Sequence, residues 1–233
     1  MRSAGKIMVD AMNLMGYDAL TMGRMDLTIG YQAVLERQSE ADFAFLSANI
    51  VYLDNLEPVF EPYTIIERDG HRIGIIGFSE PETIQSPGFR EETTWVDPNT
   101  IVADLVAEVS EQADVVVVLS HLGIENDHTL AQIAPDINVI IGGLTRKLMP
   151  EPEREGNTLI IQVGYRGEWV NKLDVTFDSL RQPATVTTTL LTLDDKYIED
   201  KQMVDMMAEY ELQYPSPTPM PTRTLTPTPA AEG

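Results

Sequence analysis

His71, His121 and His128 are the only three imidazoles in the sequence, and there is no cysteine. A metal could be held only by histidine, carboxylate or amide groups, and neither a disulfide framework nor a thiol nucleophile can be built. Three stretches join small residues to side chains that could meet a ligand: Gly23-Arg24-Met25-Asp26, Ser120-His121-Leu122-Gly123 and Gly142-Gly143-Leu144-Thr145-Arg146. Each follows an apolar run, and in open α/β sheets ligands gather where strands end at their carboxyl side. Small residues there let the backbone approach a ligand. Taken alone, His121 reads as structural. His128, after Glu125, Asn126 and Asp127, could join a surface cation site but reads as part of a solvated loop leading into a helix. His71 reads as an exposed turn residue, and Trp95 and Trp169 as packing residues.

The elements that must carry these loops follow from hydrophobic periodicity. Asp114 to Ser120 holds an apolar run, as a strand covered on both faces requires, and Ile137 to Ile141 and Leu159 to Val163 repeat the pattern. Ile101, Val102, Leu105, Val106 and Val109 recur at helical spacing after Asp97-Pro98, a cap followed by a first-turn proline. Thr64 to Arg68 and Arg72 to Gly77 flank Asp69-Gly70, a dipeptide suited to a tight hairpin. A helix through Val9, Met12 and Met15 leads past Gly16 into a short strand, Ala19 to Met22. The sum is an α/β fold with mixed sheets.

The chain has 233 residues, 43% of them apolar, enough for a sizeable core. Its net charge of −21 repels a phosphate backbone and argues against a nucleic-acid partner. No window reaches the roughly 18 to 20 apolar residues of a membrane span, and Met1 to Lys6 lacks the apolar core of a signal peptide. Residues 1–213 read as one domain, and 214–233, rich in Pro and Thr, as an extended disordered tail or spacer. Such spacers point to an extracytoplasmic setting, periplasmic or at the cell surface.

Several segments carry a resemblance. Met15 to Gly23, Ser47-Ala48-Asn49-Ile50, Asp69 to Gly77, Ala113 to Gly123 and Asn138 to Gly143 resemble, in order and spacing, the metallophosphatase domain of the 5′-nucleotidase family, within the calcineurin-like metallophosphoesterases. The resemblance implies a four-layer α/β/β/α sandwich whose strand-end loops bind two divalent metals (Mn, Zn, Mg or Ca). Such a pair, roughly 3.5 to 4 Å apart, clamps a phosphate and activates a bridging water. The family's ligands come from Asp-x-His, Gly-Asp, the Asn of Gly-Asn-His-Glu, a lone His, and Gly-His-x-His or a close variant. The His of Gly-Asn-His-Glu stabilises the transition state. Asn49 stands at a structural Asn.

Most of the ligand pattern is not carried over. Arg24 stands at the Asn ligand, Met25 at the transition-state His and Asp26 at the Glu, while Leu144 and Arg146 stand at both ends of Gly-His-x-His. Only His121 keeps a metal-ligand position. The two earliest loops are expected to be missing, together with the first strands, so the metals should be absent or reduced. Arg24 and Arg146 place guanidinium at former ligand sites, where a forked cation suits phosphate or carboxylate. The alternative is that each pairs with a nearby carboxylate or points to solvent.

The leading expectation is a metallophosphoesterase-like protein, weak or inactive as a phosphate-ester hydrolase, whose partner is a phosphate-containing small molecule. The others are an active metal-dependent phosphohydrolase with upstream ligand loops, and a non-catalytic binding or structural module. An incomplete sheet would favour self-association.

Overall fold

The computed structural model describes residues 3–85, 89–178 and 183–215. In chain order the elements are α1 (Lys6–Met15), β1 (Ala19–Thr21), α2 (Tyr31–Glu40), β2 (Ala44–Leu46), β3 (Ile50–Tyr52), β4 (Tyr63–Arg68), β5 (His71–Ser79), β6 (Thr93–Trp95), α3 (Val102–Ser110), β7 (Val115–His121), α4 (Ile124–Ile133), β8 (Val139–Gly142), β9 (Glu153–Glu155), β10 (Thr158–Ile161), β11 (Trp169–Phe177), β12 (Pro183–Thr192) and α5 (Lys201–Gln213). The tail expected over 214–233 lies, from 216 onward, outside the described residues.

Six strands form the main sheet in the order β4-β5-β7-β8-β10-β9. The hairpin turn between β4 and β5 forms as expected: Asp69 and Gly70 have φ of 51° and 75°, the two positive values a type I′ turn demands. From β5 to β10 the strands run parallel, with Ser79 beside His121 and Ser120 beside Gly142. That register sets the carboxyl ends of β5, β7 and β8 in one row.

One face of the sheet is closed by helices. Ile76, Phe78, Val116, Val118, Ile140 and Ile160 pack against Val102, Val106 and Val109 of α3 and Leu130 and Ala131 of α4. Each of these side chains larger than alanine contributes about 1.5 to 3 kcal/mol on burial. Asp97 accepts a hydrogen bond from the Asn99 N–H, but caps only one 3-10 turn, Pro98–Thr100; the α-helix starts at Val102. The expected cap therefore sits one turn ahead of the helix proper.

The other face is met by two small sheets. Parallel pair β1–β2 lies over β5, where a Cβ on Gly77 would fall 2.5 Å from Leu46. Only glycine fits that approach. Antiparallel pair β11–β12 sets Leu173 and Val186 against Val139, Leu159 and Ile161. Outside β1–β2, Val9 of α1 and Val34 of α2 close a second core with Phe43, Phe45, Phe60 and Phe89. The layers thus follow the expected α/β/β/α order, and α5 rests on α1.

His71 departs from its expected exposed position. It is the first residue of β5, its ring stacked on Phe177 with centroids 3.5 Å apart, and Nδ1 is 3.8 Å from Asp114 Oδ2. The turn at 69–70 is so tight that the strand begins at once and turns the imidazole onto β11. No described helix is long and apolar enough to cross a membrane.

Candidate functional site

The row of strand ends is completed from the side by β1. Thr21 Oγ1 donates to the carbonyls of Leu46 and Phe78 at 3.2 and 3.3 Å, and Ser79 Oγ donates to that of Met22 at 2.7 Å. These bonds hold the end of β1 against the end of β5. All three loops singled out in the sequence therefore converge on one cleft of about 190 Å³, lined by Gly23, Arg24, Met25, Asp26, His121, Gly143, Leu144 and Arg146, with Thr21 beneath.

His121 lies between two glycines. A Cβ on Gly23 would sit 3.0 Å from Nε2, and one on Gly143 3.6 Å from Cδ2. A methyl added at Gly23 would press on the ring, whereas one at Gly143 would meet it at ordinary contact distance. On its other side, Nδ1 stands 3.2 Å from Glu80 Oε1, misaligned for a hydrogen bond, so both buried atoms lack a hydrogen-bond partner among the described residues. Arg24 Nε reaches the same oxygen at 3.5 Å. Glu80 is 3% exposed, a carboxyl group taken out of water whose Oε1 has ionic contacts alone among the described residues.

Sequence reasoning did not single out Glu80. The signal was present, since it is an acid directly after a strand buried from Gly74 to Ser79. For Arg24, the pairing with a nearby carboxylate is the arrangement observed.

Asp26 is exposed as a residue, but its carboxyl is set among the cleft loops. That burial raises its pKa, against the lowering effects of the Gly23 N–H, which donates to Oδ2 at 2.8 Å, and of His121. Met25 is 63% exposed. Arg146, also exposed, has φ of 57° and closes a turn through its N–H to the Gly143 carbonyl at 3.0 Å. Leu144 is half-buried. Among the described residues no group of three or more His, Asp or Glu side chains is placed to hold a metal ion.

Asn49 has a structural setting. Fully buried, it donates to the carbonyls of Ser79 and Val96 at 2.8 and 3.2 Å and accepts from the Ser79 N–H at 2.8 Å. Trp95 donates through Nε1 to the Ser79 carbonyl at 2.7 Å, and Trp169 packs over Gly164. His128 is not in a solvated loop. It lies within α4, 2.8 Å from Glu153 and 3.2 Å from Glu155 on β9, and Lys147 also pairs with Glu153. The β9–β10 hairpin brings these acids to the helix, which sequence distance concealed.

No protein-family model matches the sequence. A 5′-nucleotidase of Vibrio parahaemolyticus is 22% identical over 249 residues, covering 86% of this chain and 44% of the relative. The crystal structure of a 5′-nucleotidase precursor from Thermus thermophilus superposes with a TM-score of 0.78 and 26% identity, covering 91% of this chain and 46% of that one. A calcineurin-like phosphoesterase, YfkN of Bacillus subtilis, shares the fold with a TM-score of 0.76 at 19% identity, covering 89% of this chain and 74% of that one. The chain spans less than half the length of the first curated relatives it matches. In sequence and structure the chain is thus similar to 5′-nucleotidases, and its fold is that of a calcineurin-like phosphoesterase.

Proposed function

We propose that the strand-end cleft is a metallophosphoesterase centre whose dinuclear metal site is largely lost, leaving a protein weak or inactive as a phosphate-ester hydrolase that binds a phosphate-containing small molecule. The observation that carries this reading is the convergence of Arg24 and Arg146 with His121 on one cleft. The donor set supports it. A pair of divalent cations needs a surrounding set of oxygen and nitrogen donors. Arg24 and Arg146 bring positive charge instead, Leu144 brings none of these donors, and Asp26, Glu80 and His121 do not form a metal-holding group. The residues present do not fit two metals.

They fit an anion better. Arg24 touches Glu80 through Nε, which leaves the terminal fork of the guanidinium for two N–H···O bonds to a phosphate. Arg146 faces solvent at the mouth of the cleft and supplies a second cation. Hydrogen bonds to charged groups contribute roughly 1.5 to 3 kcal/mol each, so losing either arginine should weaken binding by an order of magnitude. An extracytoplasmic setting is part of the same reading, supported by the Pro/Thr-rich run at 214–233. So is self-association, since β1 and β2 form a two-stranded sheet among the described residues. A monodisperse monomer in concentrated light scattering would count against that last element.

The test measures metal content by elemental mass spectrometry after dialysis against excess manganese and zinc, with hydrolysis of an aryl phosphate ester and calorimetric titration of phosphate. Little metal, little turnover and phosphate binding weakened about tenfold in R24A and R146A are the expected results. Two bound metals with turnover would overturn the reading.

A further inference from the structure

Behind the cleft lies a buried polar chain that the anion reading does not use. Asp127 of α4 is fully buried, and its Oδ1 accepts a hydrogen bond from Ser120 Oγ at the end of β7. Its Oδ2 accepts from Gln162 Nε2 at 3.5 Å, and Gln162, 1% exposed, accepts through Oε1 from the Lys147 N–H at 3.1 Å. A Cβ on Gly142 would fall 2.4 Å from Asp127 Oδ2 and 2.8 Å from Gln162 Nε2. The carboxyl and the amide therefore press on the residue from which the Gly142–Lys147 loop departs. Ser120 Oγ in turn accepts from the Leu122 N–H at 3.2 Å, which ties the His121 loop to the same carboxyl.

We propose that Asp127, acting through the Gln162 amide, positions the Gly142–Lys147 loop that carries Leu144 and Arg146. The argument is one of donors and acceptors. An ionised carboxylate can only accept. It obliges Gln162 to turn its NH2 inward, and the amide oxygen is then left facing the Lys147 N–H. A protonated Asp127 can donate, which lets the Gln162 amide turn over and set NH2 against N–H. The loop then loses its side-chain anchor.

Both forms are within reach near neutrality, because burial pushes the Asp127 pKa up to about 6. The groups that face it are the Ser120 hydroxyl from β7, the Gln162 amide from β10, the Gly142 backbone from β8 and, from its own helix, His128. His128 is held by Glu153 and Glu155 of β9, and its own pKa is raised, chiefly by the hydrogen bond to Glu153. Asp127 is a positioning residue, and its effect on Arg146 matters to function only where the anion reading holds.

Hydrogen exchange of single backbone amides in the intact chain tests the proposal. Lys147 N–H depends on the Gln162 side chain, whereas Met149 N–H is bonded to the Gln162 backbone carbonyl at 3.2 Å and serves as an internal control. After correction for intrinsic exchange, protection of Lys147 should fall roughly tenfold between pH 7 and pH 5, following the protonated fraction of Asp127, while Met149 holds. In Asp127→Leu it should be low at both pH values. Equal protection of Lys147 at both pH values in the unmodified chain would overturn the proposal, and that measurement needs no variant to fold. A parallel fall of Met149 would also overturn it, as general loosening. Sulfate, whose charge does not change in this range, is titrated alongside. An unmodified chain that binds none removes the anion reading, yet exchange at Lys147 still decides the role of Asp127.

Discussion

Ser79 and Glu80 are neighbours at the end of one strand, yet their polar surroundings are opposite in kind. Around Ser79, Ser47, Asn49 and Trp95 close a knot in which Asn49 pairs its oxygen and its amino group with backbone, and Ser79 Oγ meets both Ser47 and the Met22 carbonyl. One residue on, Glu80 Oε1 and His121 Nδ1 face each other, buried and without hydrogen-bond partners among the described residues. Buried polar groups are nearly always paired, and the exceptions gather where something other than stability is at stake. The difference separates scaffold from site at single-residue resolution: Ser79 holds β1, β3 and β5 together, and Glu80 lies against Arg24 and His121, which line the cleft.

The largest expected effect breaks the scaffold side. Asn49→Leu removes two donors and an acceptor from a buried network, and stability by chemical denaturation should fall by roughly 4 kcal/mol. A loss below about 1 kcal/mol would erase the contrast.

Asp127 is an intermediate case, bonded on both oxygens but penalised when charged. Its folded pKa of about 6 lies above the unfolded value of 3.8, so the folded state holds the extra proton between them. Stability from this group is therefore greatest in acid and declines as pH rises from about 4 through 6, by roughly 3 kcal/mol in all. The difference in stability between the unmodified chain and Asp127→Leu should shrink by that amount between pH 4 and pH 7. A constant difference would place Asp127 with the fully satisfied scaffold.

On the site side, Glu80→Gln should leave stability within about 1 kcal/mol, since it removes a charge without opening a cavity. It should tighten sulfate binding roughly tenfold, because Arg24 no longer shares its charge with a carboxylate. Weaker binding would mean that Glu80 holds Arg24 in place rather than competing with the anion.

The smallest effect concerns His128. Its raised pKa means that pairing with Glu153 stabilises fully below about pH 6.5 and is lost as pH rises through the folded value. Glu153, lowered chiefly by Lys147, gives the opposite branch, with stability lost as pH falls below the ordinary carboxylate range. These side chains are partly exposed, so a loss below about 1 kcal/mol between pH 6 and pH 8, absent in His128→Gln, is expected from thermal melts.

Much of the fold was legible. The hairpin at Asp69-Gly70, the buried strands and the helix after Asp97-Pro98 follow from turn chemistry and periodicity, which are local. Two of the three loops of the cleft were legible for the same reason, because the parallel strands β7 and β8 present their ends together, whereas the Gly23 loop is brought to them by the contacts of β1 with β5. His71 and His128 were misread because their partners, Phe177 and the acids of β9, are distant in sequence. Glu80 escaped because nothing in a strand followed by an acid shows that the acid remains buried.

The sequence by itself determined which residues could meet a ligand at the strand ends, with Arg24, His121 and Arg146 among them. Residue type and order carry that information without any contact being known. Only the tertiary structure decided that Glu80 stands between Arg24 and His121, and that Asp127 reaches the Arg146 loop through Gln162. Those relations depend on strand register and burial, which join residues that the chain keeps far apart.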